Sequence, residues 1–274
     1  MERTTLTLSP EKVVVELQAL LGSTDPKQVV MAFDGDGTLW SGDVGEDLFR
    51  AAMREQFLLE DARAALLAEA ERYGIPLVGA QHEDANTIAG VLMAAYLAGQ
   101  YPERETCAMM TWCYAGRALS EVEELARSVL DEEDLESRLT PELEPIVEFG
   151  RSAGMRLVLV SASPRVIVEA AGKTWGFEPA DIAAATPALR GGQVLPRMDG
   201  PVPYAADKLS AGRALFGSAR WLAAFGDNVF DIDMLTTAEM GVAIRPKPRL
   251  ASELPALGLR QLEPGLSPSR PTAR

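Results

Sequence analysis

Residues 29–38 read VVMAFDGDGT, a continuous apolar run that ends abruptly in two aspartates separated by a glycine. A short run of this kind is typical of a strand that is buried on both faces, as in a parallel sheet. Asp34 and Asp36 lie two apart, so in extended backbone their carboxylates point to the same side. Two carboxylates that share a small space require a cation between them or a proton on one of them. The stretch therefore predicts a parallel strand whose carboxyl end carries an acidic site.

Three further apolar runs follow along the chain, and each ends in polar or turn-forming residues: 156–160, 221–225 and 240–244. Amphipathic patterns with helical spacing alternate with these runs, over 141–153, 164–175 and 207–216. Strands that alternate with helices of this length imply βαβ units, and the predicted fold is α/β with a doubly wound parallel sheet. In such sheets ligands bind beyond the carboxyl ends of the strands, which is where the polar clusters of this chain fall.

The stretch 42–140 differs from the rest of the chain. It has few β-branched residues, it is rich in Ala, Leu, Glu and Arg, and it shows helical spacing over 47–73, 83–98, 103–118 and 120–130. It is too long for an ordinary connection between two strands. We therefore predict a discontinuous α/β core of residues 1–41 and 141–263, an inserted helical cap of residues 42–140, and a disordered tail of residues 264–274, which contains three prolines.

Composition excludes several classes of function. The formal net charge of −14 argues against general nucleic-acid binding, which needs clustered Lys and Arg. No apolar run approaches the roughly 20 residues that a membrane helix needs, and the N-terminus lacks a secretion signal, so we expect a cytoplasmic protein. The chain has two cysteines, Cys107 and Cys113, and one histidine, His82, which argues against a zinc site or a disulfide framework.

Acidic residues also follow the run 221–225. Asp227 and Asp231 come just after Gly226, which permits a tight turn there. If Asp231 opens the next helix, both carboxylates can reach the metal that Asp34 and Asp36 require. Mg²⁺ prefers oxygen ligands and keeps waters and substrate phosphate in its shell, so it suits this set.

Phosphate-ester hydrolysis needs a nucleophile, a proton shuttle for the leaving oxygen, and positive charge against the phosphoryl oxygens. Ser161 follows the run 156–160 and can offer its hydroxyl and its backbone N–H to a phosphate oxygen. Lys208 starts a predicted helix before the run 221–225 and can supply the positive charge. Lys173 and Lys247 are rival candidates for the same role.

These segments, in this order, resemble the four motifs of the haloacid dehalogenase (HAD) superfamily of phosphatases: DGDGTL from Asp34, Ser161 in LVSAS, Lys208, and GDNVFD from Gly226 to Asp231. The resemblance implies that Asp34 attacks phosphorus to form an aspartyl-phosphate, while Asp36 protonates the leaving group and later activates water. It implies that Asp34, the backbone carbonyl of Asp36 and Asp227 hold Mg²⁺, with Asp231 supporting them. It also implies that Ser161, Ala162 and Lys208 bind the phosphate.

The helical insertion is similar to the type 1 cap of the phosphoserine phosphatase-like branch of this superfamily. Asp43, nine residues after Asp34, occupies the place where that branch carries an acid that reads the substrate. The alternative is that Asp43 is an ordinary acidic residue at the start of a helix. Substrate identity does not follow from this resemblance.

The leading hypothesis is thus a magnesium-dependent phosphomonoesterase that acts on a small phosphorylated metabolite. A phosphotransferase or mutase on the same fold is an alternative, and a non-catalytic module that binds a phosphorylated ligand is another. A dehalogenase is disfavoured because Asp36 supplies the acid and base that phosphoryl transfer requires. The expected partner is the small substrate, without nucleic acid or membrane, and a homodimer is left open.

Overall fold

The protein was described from a computed structural model that covers residues 5–265. The predicted tail, residues 264–274, lies almost entirely outside the described residues. In the described part of the chain, no helix is both long and apolar enough to cross a lipid bilayer.

Nine strands lie within the described residues: β1 (Leu6–Leu8), β2 (Val29–Phe33), β3 (Arg156–Pro164), β4 (Ile182–Ala185), β5 (Pro187–Arg190), β6 (Gln193–Met198), β7 (Arg220–Gly226), β8 (Met240–Ala243) and β9 (Arg260–Leu262). The same residues form twelve α-helices: α1 (Pro10–Leu21), α2 (Val44–Arg54), α3 (Arg63–Arg72), α4 (Ala85–Leu97), α5 (Glu103–Trp112), α6 (Leu119–Glu132), α7 (Leu135–Arg138), α8 (Glu144–Ala153), α9 (Arg165–Gly172), α10 (Ala206–Phe216), α11 (Ile232–Thr237) and α12 (Pro248–Leu257).

Seven of the strands form one sheet in the order β1-β9-β8-β7-β2-β3-β4, and β5 and β6 form a separate antiparallel hairpin. The strand β2 pairs in parallel with β7, placing Phe33 opposite Phe225, and their two rings stack at 4.6 Å. All five residues of β2 are buried, as expected for a strand covered on both faces. The predicted doubly wound α/β fold is confirmed.

The pairing of β2 with β7 sets the position of the acidic residues. The backbone N–H of Asp34 continues the ladder by donating to the carbonyl of Phe225, at 2.9 Å. The two strands therefore end at the same edge of the sheet, and the residues that follow them, from Asp34 and from Asp227, start side by side. Register, rather than sequence separation, brings these segments together.

The structure corrects three sequence-based expectations. The second predicted strand is longer than expected, so Ser161 lies inside β3 and not after it. The helical pattern over 47–73 is broken into α2 and α3, because Gln56 adopts a left-handed conformation with φ 52°. The strands β1, β4 and β9 were not predicted, because their sequences LTL, IAAA and RQL are too short to show a period and are not continuous runs of large apolar residues.

The chain divides into two compact units. The first comprises the described parts of 1–41, 139–158 and 216–274, and the second comprises 42–138 and 159–215. In the first unit α1 packs against α8. In the second, α6 packs against α2 and α9, and α5 packs against β6 of the hairpin. Residues 159–215 group with the helices of the insertion; the predicted division into 42–140 and a core of 1–41 with 141–263 stays a prediction.

A buried ion pair joins residues near the two ends of the segment 42–138 within the second unit. Arg138 donates to the carboxylate of Asp47 at 2.7 Å, and Arg50 also contacts this carboxylate. The Asp47 side chain is 4% exposed, so its charge requires these partners. Gly42 lies against the guanidinium of Arg138, where a Cβ would approach its Nη2 atom to 2.6 Å. Residues near the two ends of the segment 42–138 are thus held close together.

Candidate active site

Three aspartates from two segments of the first unit converge at the carboxyl edge of the sheet. Each of Asp34, Asp227 and Asp231 offers a carboxylate oxygen, and these oxygens lie within 4.8 Å of one another. The three residues are buried, with 6%, 3% and 0% of their surface exposed. Like charges held this close and away from water repel strongly unless a cation or a proton compensates them.

Asp231 supports the turn that carries Asp227. Its Oδ2 atom accepts hydrogen bonds from the backbone N–H of Asp227 at 3.1 Å and from that of Asn228 at 2.9 Å. Gly226 precedes this turn, and a Cβ there would approach the Asp231 side chain to 2.6 Å. The glycine therefore lets the strand end close to Asp231, whose carboxylate then orders the turn.

The segment that begins at Asp34 folds back on itself as a closed loop. The carbonyl of Gly35 accepts from the N–H of Thr38 at 3.1 Å and from that of Leu39 at 2.9 Å, and the N–H of Gly37 donates to the carbonyl of Trp40 at 2.8 Å. The hydroxyl of Thr38 lies 3.4 Å from Oδ2 of Asp34. The loop thus places the side chain of Asp34 in the acidic cluster.

The carboxylate of Asp36 is only partly buried and does not belong to the cluster of three. Its Oδ1 atom accepts a hydrogen bond from the indole N–H of Trp40 at 2.8 Å. The side chain of Asp36 is therefore separate from the cluster of three, and the role of its backbone carbonyl as a metal ligand stays a prediction.

Lys247 lies next to the cluster, on the same unit. Its ammonium is 3.2 Å from Oδ2 of Asp227, and its backbone N–H donates to the carbonyl of Asp227 at 2.8 Å. Partial burial lowers the pKa of Lys247, but the negative charges of Asp227, Asp34 and Asp231 outweigh this effect and raise the pKa above its ordinary value. Lys247, a rival candidate in the sequence, thus carries positive charge at the acidic cluster.

The donor set fits a divalent cation of the Mg²⁺ type. One ammonium does not balance three buried carboxylates, and hard carboxylate oxygens are the ligands that Mg²⁺ prefers. Asp34, Asp227 and the carbonyl of Asp36 would hold the ion, with Asp231 completing the set. When bound, such an ion neutralises negative charge on the phosphoryl oxygens.

The predicted phosphate-binding residues belong to the second unit. Ser161 is buried in β3, and its Oγ atom accepts from the backbone N–H of Ser163 at 3.1 Å. Ala162 lies between them and is partly exposed. Lys208, near the start of α10, is 5% exposed, which is rare for a lysine and indicates a compensated ammonium. The convergence of these three residues on one phosphate stays a prediction.

Asp43 has a local structural role. It is the N-cap of α2, where its Oδ1 atom accepts from the backbone N–H of Glu46 at 2.8 Å. Capping of this kind contributes about 1 kcal/mol to a helix. The observed contact is the one expected of an ordinary helix-start acid, and a second role in reading the substrate stays a prediction.

Gly37 allows a test of how closely the loop and the cluster must approach. It has φ +81°, and a Cβ there would collide with the carboxylate of Asp227. We expect Gly37→Ala to lower the turnover rate by tenfold or more, because the displaced carboxylate leaves the cluster. The matched control is Gly154→Ala, since Gly154 also has φ +81° but nothing within 4 Å of its Cβ position.

Both variants should lose about 1–2 kcal/mol in free energy of unfolding from the left-handed backbone, measured by thermal denaturation. Only Gly37→Ala should lose activity. Equal activity in the two variants would show that the cluster tolerates a shift of Asp227.

Two residues of the site were not assigned by the sequence. Lys247 follows the end of β8, and the rule that ligands bind beyond the carboxyl ends of strands pointed there, although it did not rank Lys247 above Lys208. The contact of Trp40 with Asp36 had no signal in the sequence, because a tryptophan four residues after an aspartate in a loop has no characteristic spacing.

Solved structures with a similar fold exist. The chain is similar to a protein of unknown function from Bordetella pertussis Tohama I, with 20% identity and a TM-score of 0.64, over 86% of this chain and 99% of that one. It is similar to a HAD family hydrolase from Salmonella enterica subsp. enterica serovar Typhi, with 16% identity and a TM-score of 0.54. That match covers 93% of this chain and 76% of the other. It is also similar to cytosolic 5'-nucleotidase IIIB bound to cytidine, with 14% identity and a TM-score of 0.52. That match covers 89% of this chain and 80% of the other.

At these identities the likeness establishes the fold alone. No curated protein matches the chain. The family model of haloacid dehalogenase-like hydrolases matches residues 31–236, which is most of the chain and contains Asp34, Ser161, Lys208 and Asp227. The chain belongs to the haloacid dehalogenase-like hydrolase family.

Proposed function

We propose that this protein is a magnesium-dependent phosphomonoesterase that acts on a small phosphorylated metabolite through an aspartyl-phosphate on Asp34. The buried cluster of Asp34, Asp227 and Asp231, with Asp36 beside it, carries the proposal. A buried set of like charges is costly to maintain, so it indicates a function other than stability. Family membership is consistent with this chemistry.

Asp34 and Asp36 have different roles in the proposed reaction. Asp34 attacks phosphorus, and its Oδ–P bond forms as the bond from phosphorus to the leaving oxygen breaks. Asp36 gives its proton to that oxygen. In the second step Asp36 takes a proton from the water that attacks the aspartyl-phosphate, which frees Asp34 and inorganic phosphate. Lys247 is placed to offset negative charge beside Asp227 throughout.

A panel of phosphorylated metabolites, assayed for released phosphate with and without Mg²⁺, tests the proposal. Phosphoserine and phosphocholine are included by analogy with the type 1 cap, and nucleoside monophosphates because of the similarity to a nucleotidase fold. We expect turnover of at least one alkyl phosphate, with strict dependence on added Mg²⁺. Tight binding of a phosphorylated ligand without turnover across the panel would instead favour a non-catalytic binding module.

The ratio of products separates hydrolysis from transfer. For a phosphatase, alcohol and inorganic phosphate are released in equal amounts even when a second alcohol is added as acceptor. A phosphotransferase or mutase releases less phosphate than alcohol, because the aspartyl-phosphate is passed to the acceptor. The substrate, a cytoplasmic location and a homodimer all stay predictions.

A further inference from the structure

The indole of Trp40 holds one oxygen of the Asp36 carboxylate. The indole N–H donates to Oδ1 at 2.8 Å, and the two residues also form a backbone bridge. Tryptophan is a donor only and does not titrate, so it neither competes for the proton of Asp36 nor exchanges one with it. Of the two carboxylate oxygens of Asp36, Oδ1 is thus the one that the indole holds.

Trp40 is itself held firmly. Its side chain is completely buried and is among the largest fully buried side chains of the described residues. Its carbonyl accepts from Gly37 at 2.8 Å, and its backbone forms an antiparallel bridge with Leu139. The neighbouring carbonyl of Leu39 accepts from the N–H of Thr140 at 3.0 Å. The indole N–H of Trp40 is therefore held in one position within the first unit.

Orientation matters for Asp36 because the last torsion of an aspartate is soft. The torsion about Cβ–Cγ has a broad, roughly two-fold profile, so an unsupported carboxylate samples many rotations. A displacement of about 1 Å in a reacting group can cost about a hundredfold in rate. A fixed neutral donor to Oδ1 restricts the range of the Cβ–Cγ torsion of Asp36, and it does so without neutralising the charge of the carboxylate.

We propose that Trp40 is a positioning residue that holds Oδ1 of Asp36 so that Oδ2 is directed at the leaving oxygen of the substrate. This inference rests on the proposed phosphatase function. The proton moves from Oδ2 to the ester oxygen as the bond from phosphorus to that oxygen breaks, and it is replaced on Oδ2 by a proton of the attacking water. The indole keeps its own proton in both steps.

Leaving groups of different basicity reveal this role. An alkoxide leaves only if it is protonated, whereas p-nitrophenolate leaves readily without a proton. The ratio kcat/KM reports the steps up to formation of the aspartyl-phosphate, so hydrolysis of that intermediate does not obscure the comparison. The probes are p-nitrophenyl phosphate and β-glycerol phosphate, or the alkyl phosphate that the metabolite panel ranks first.

For Trp40→Phe we expect kcat/KM to fall about 10- to 100-fold on the alkyl phosphate and less than about threefold on p-nitrophenyl phosphate. The ratio of the two values is independent of the fraction of folded enzyme. The control is Trp221→Phe, which removes another buried indole of the same unit, one that packs on Phe216 at 5.0 Å. It should change both substrates equally.

If Trp40→Phe does not fold, β-(3-benzothienyl)-alanine is introduced at position 40, because this residue has the shape of tryptophan with sulfur in place of the ring N–H. The same selective loss on the alkyl phosphate is expected. An equal change on both substrates, or no change, would overturn the role of Trp40 while leaving the phosphatase intact. A wild-type protein that turns over neither substrate would contradict the proposed function instead.

Discussion

Replacement of Asp34 by Asn should abolish turnover, with kcat on p-nitrophenyl phosphate falling by about 10⁴-fold or more. An amide oxygen is a far weaker nucleophile than a carboxylate, and an aspartyl-phosphate cannot form on it. The fold should persist, because Asn is close to Asp in size and the variant removes one of three mutually repelling carboxylates of the buried cluster. Thermal denaturation without added metal should show a midpoint equal to or above that of the wild type.

The control for this variant is Asp233→Asn, an exposed aspartate in α11 of the same unit, two residues after Asp231. It carries the same chemical change outside the cluster, and we expect full activity. A second measurement uses wild-type protein and substrate labelled on phosphorus: acid quenching should trap label on the wild type and none on Asp34→Asn. Turnover retained by Asp34→Asn would show that the nucleophile lies elsewhere.

Replacement of Asp227 by Asn should raise the Mg²⁺ concentration needed for half-maximal activity by more than the roughly 10- to 100-fold that loss of an outer-shell partner costs. The substitution removes a charged ligand from a cluster whose oxygens lie within 4.8 Å of one another. It also breaks the ion pair between Asp227 and the ammonium of Lys247, which lies 3.2 Å from Oδ2 of Asp227. Activity as a function of Mg²⁺, with calorimetric titration of Mg²⁺ alone, measures the effect.

The calorimetric titration separates metal binding from catalysis. The wild type after treatment with EDTA should bind Mg²⁺ and regain its activity, while Asp227→Asn should show little heat at the same concentrations. Asp233→Asn serves again as the control, because it makes the same change in net charge. Unchanged Mg²⁺ affinity in Asp227→Asn would exclude the cluster as the metal site.

Much of the fold could be predicted because its signals are local. The run Val29–Phe33 was expected as a strand and is one, and α1 begins and ends where its amphipathic pattern does. Ser9, a residue type that favours the N-cap position, caps this helix with its hydroxyl 3.4 Å from the N–H of Lys12. Burial on both faces of a parallel sheet and helix capping each leave a pattern within a few residues, so one sequence is enough to detect them.

Other elements left no such pattern. Gln56 adopts the left-handed conformation that breaks the predicted helix over 47–73, and a glutamine in that position is not a recognisable turn residue. The strand β3 continues through Ser161 to Pro164, because pairing with β4 extends it beyond its apolar run. Tertiary pairing thus overrides local propensity at the carboxyl end of β3.

The sequence by itself determined the α/β fold and the acidic residues that a phosphoryl-transfer site requires, because strand burial and paired aspartates are both readable within short segments. Only the tertiary structure decided which residues meet. The parallel register of β2 and β7 brings Asp34 to Asp227 and Asp231, the return of the chain after β8 brings Lys247 to Asp227, and the closed loop brings the indole of Trp40 to Asp36. These contacts depend on distances between segments far apart in the chain or on the closure of one loop, and residue order alone does not encode either.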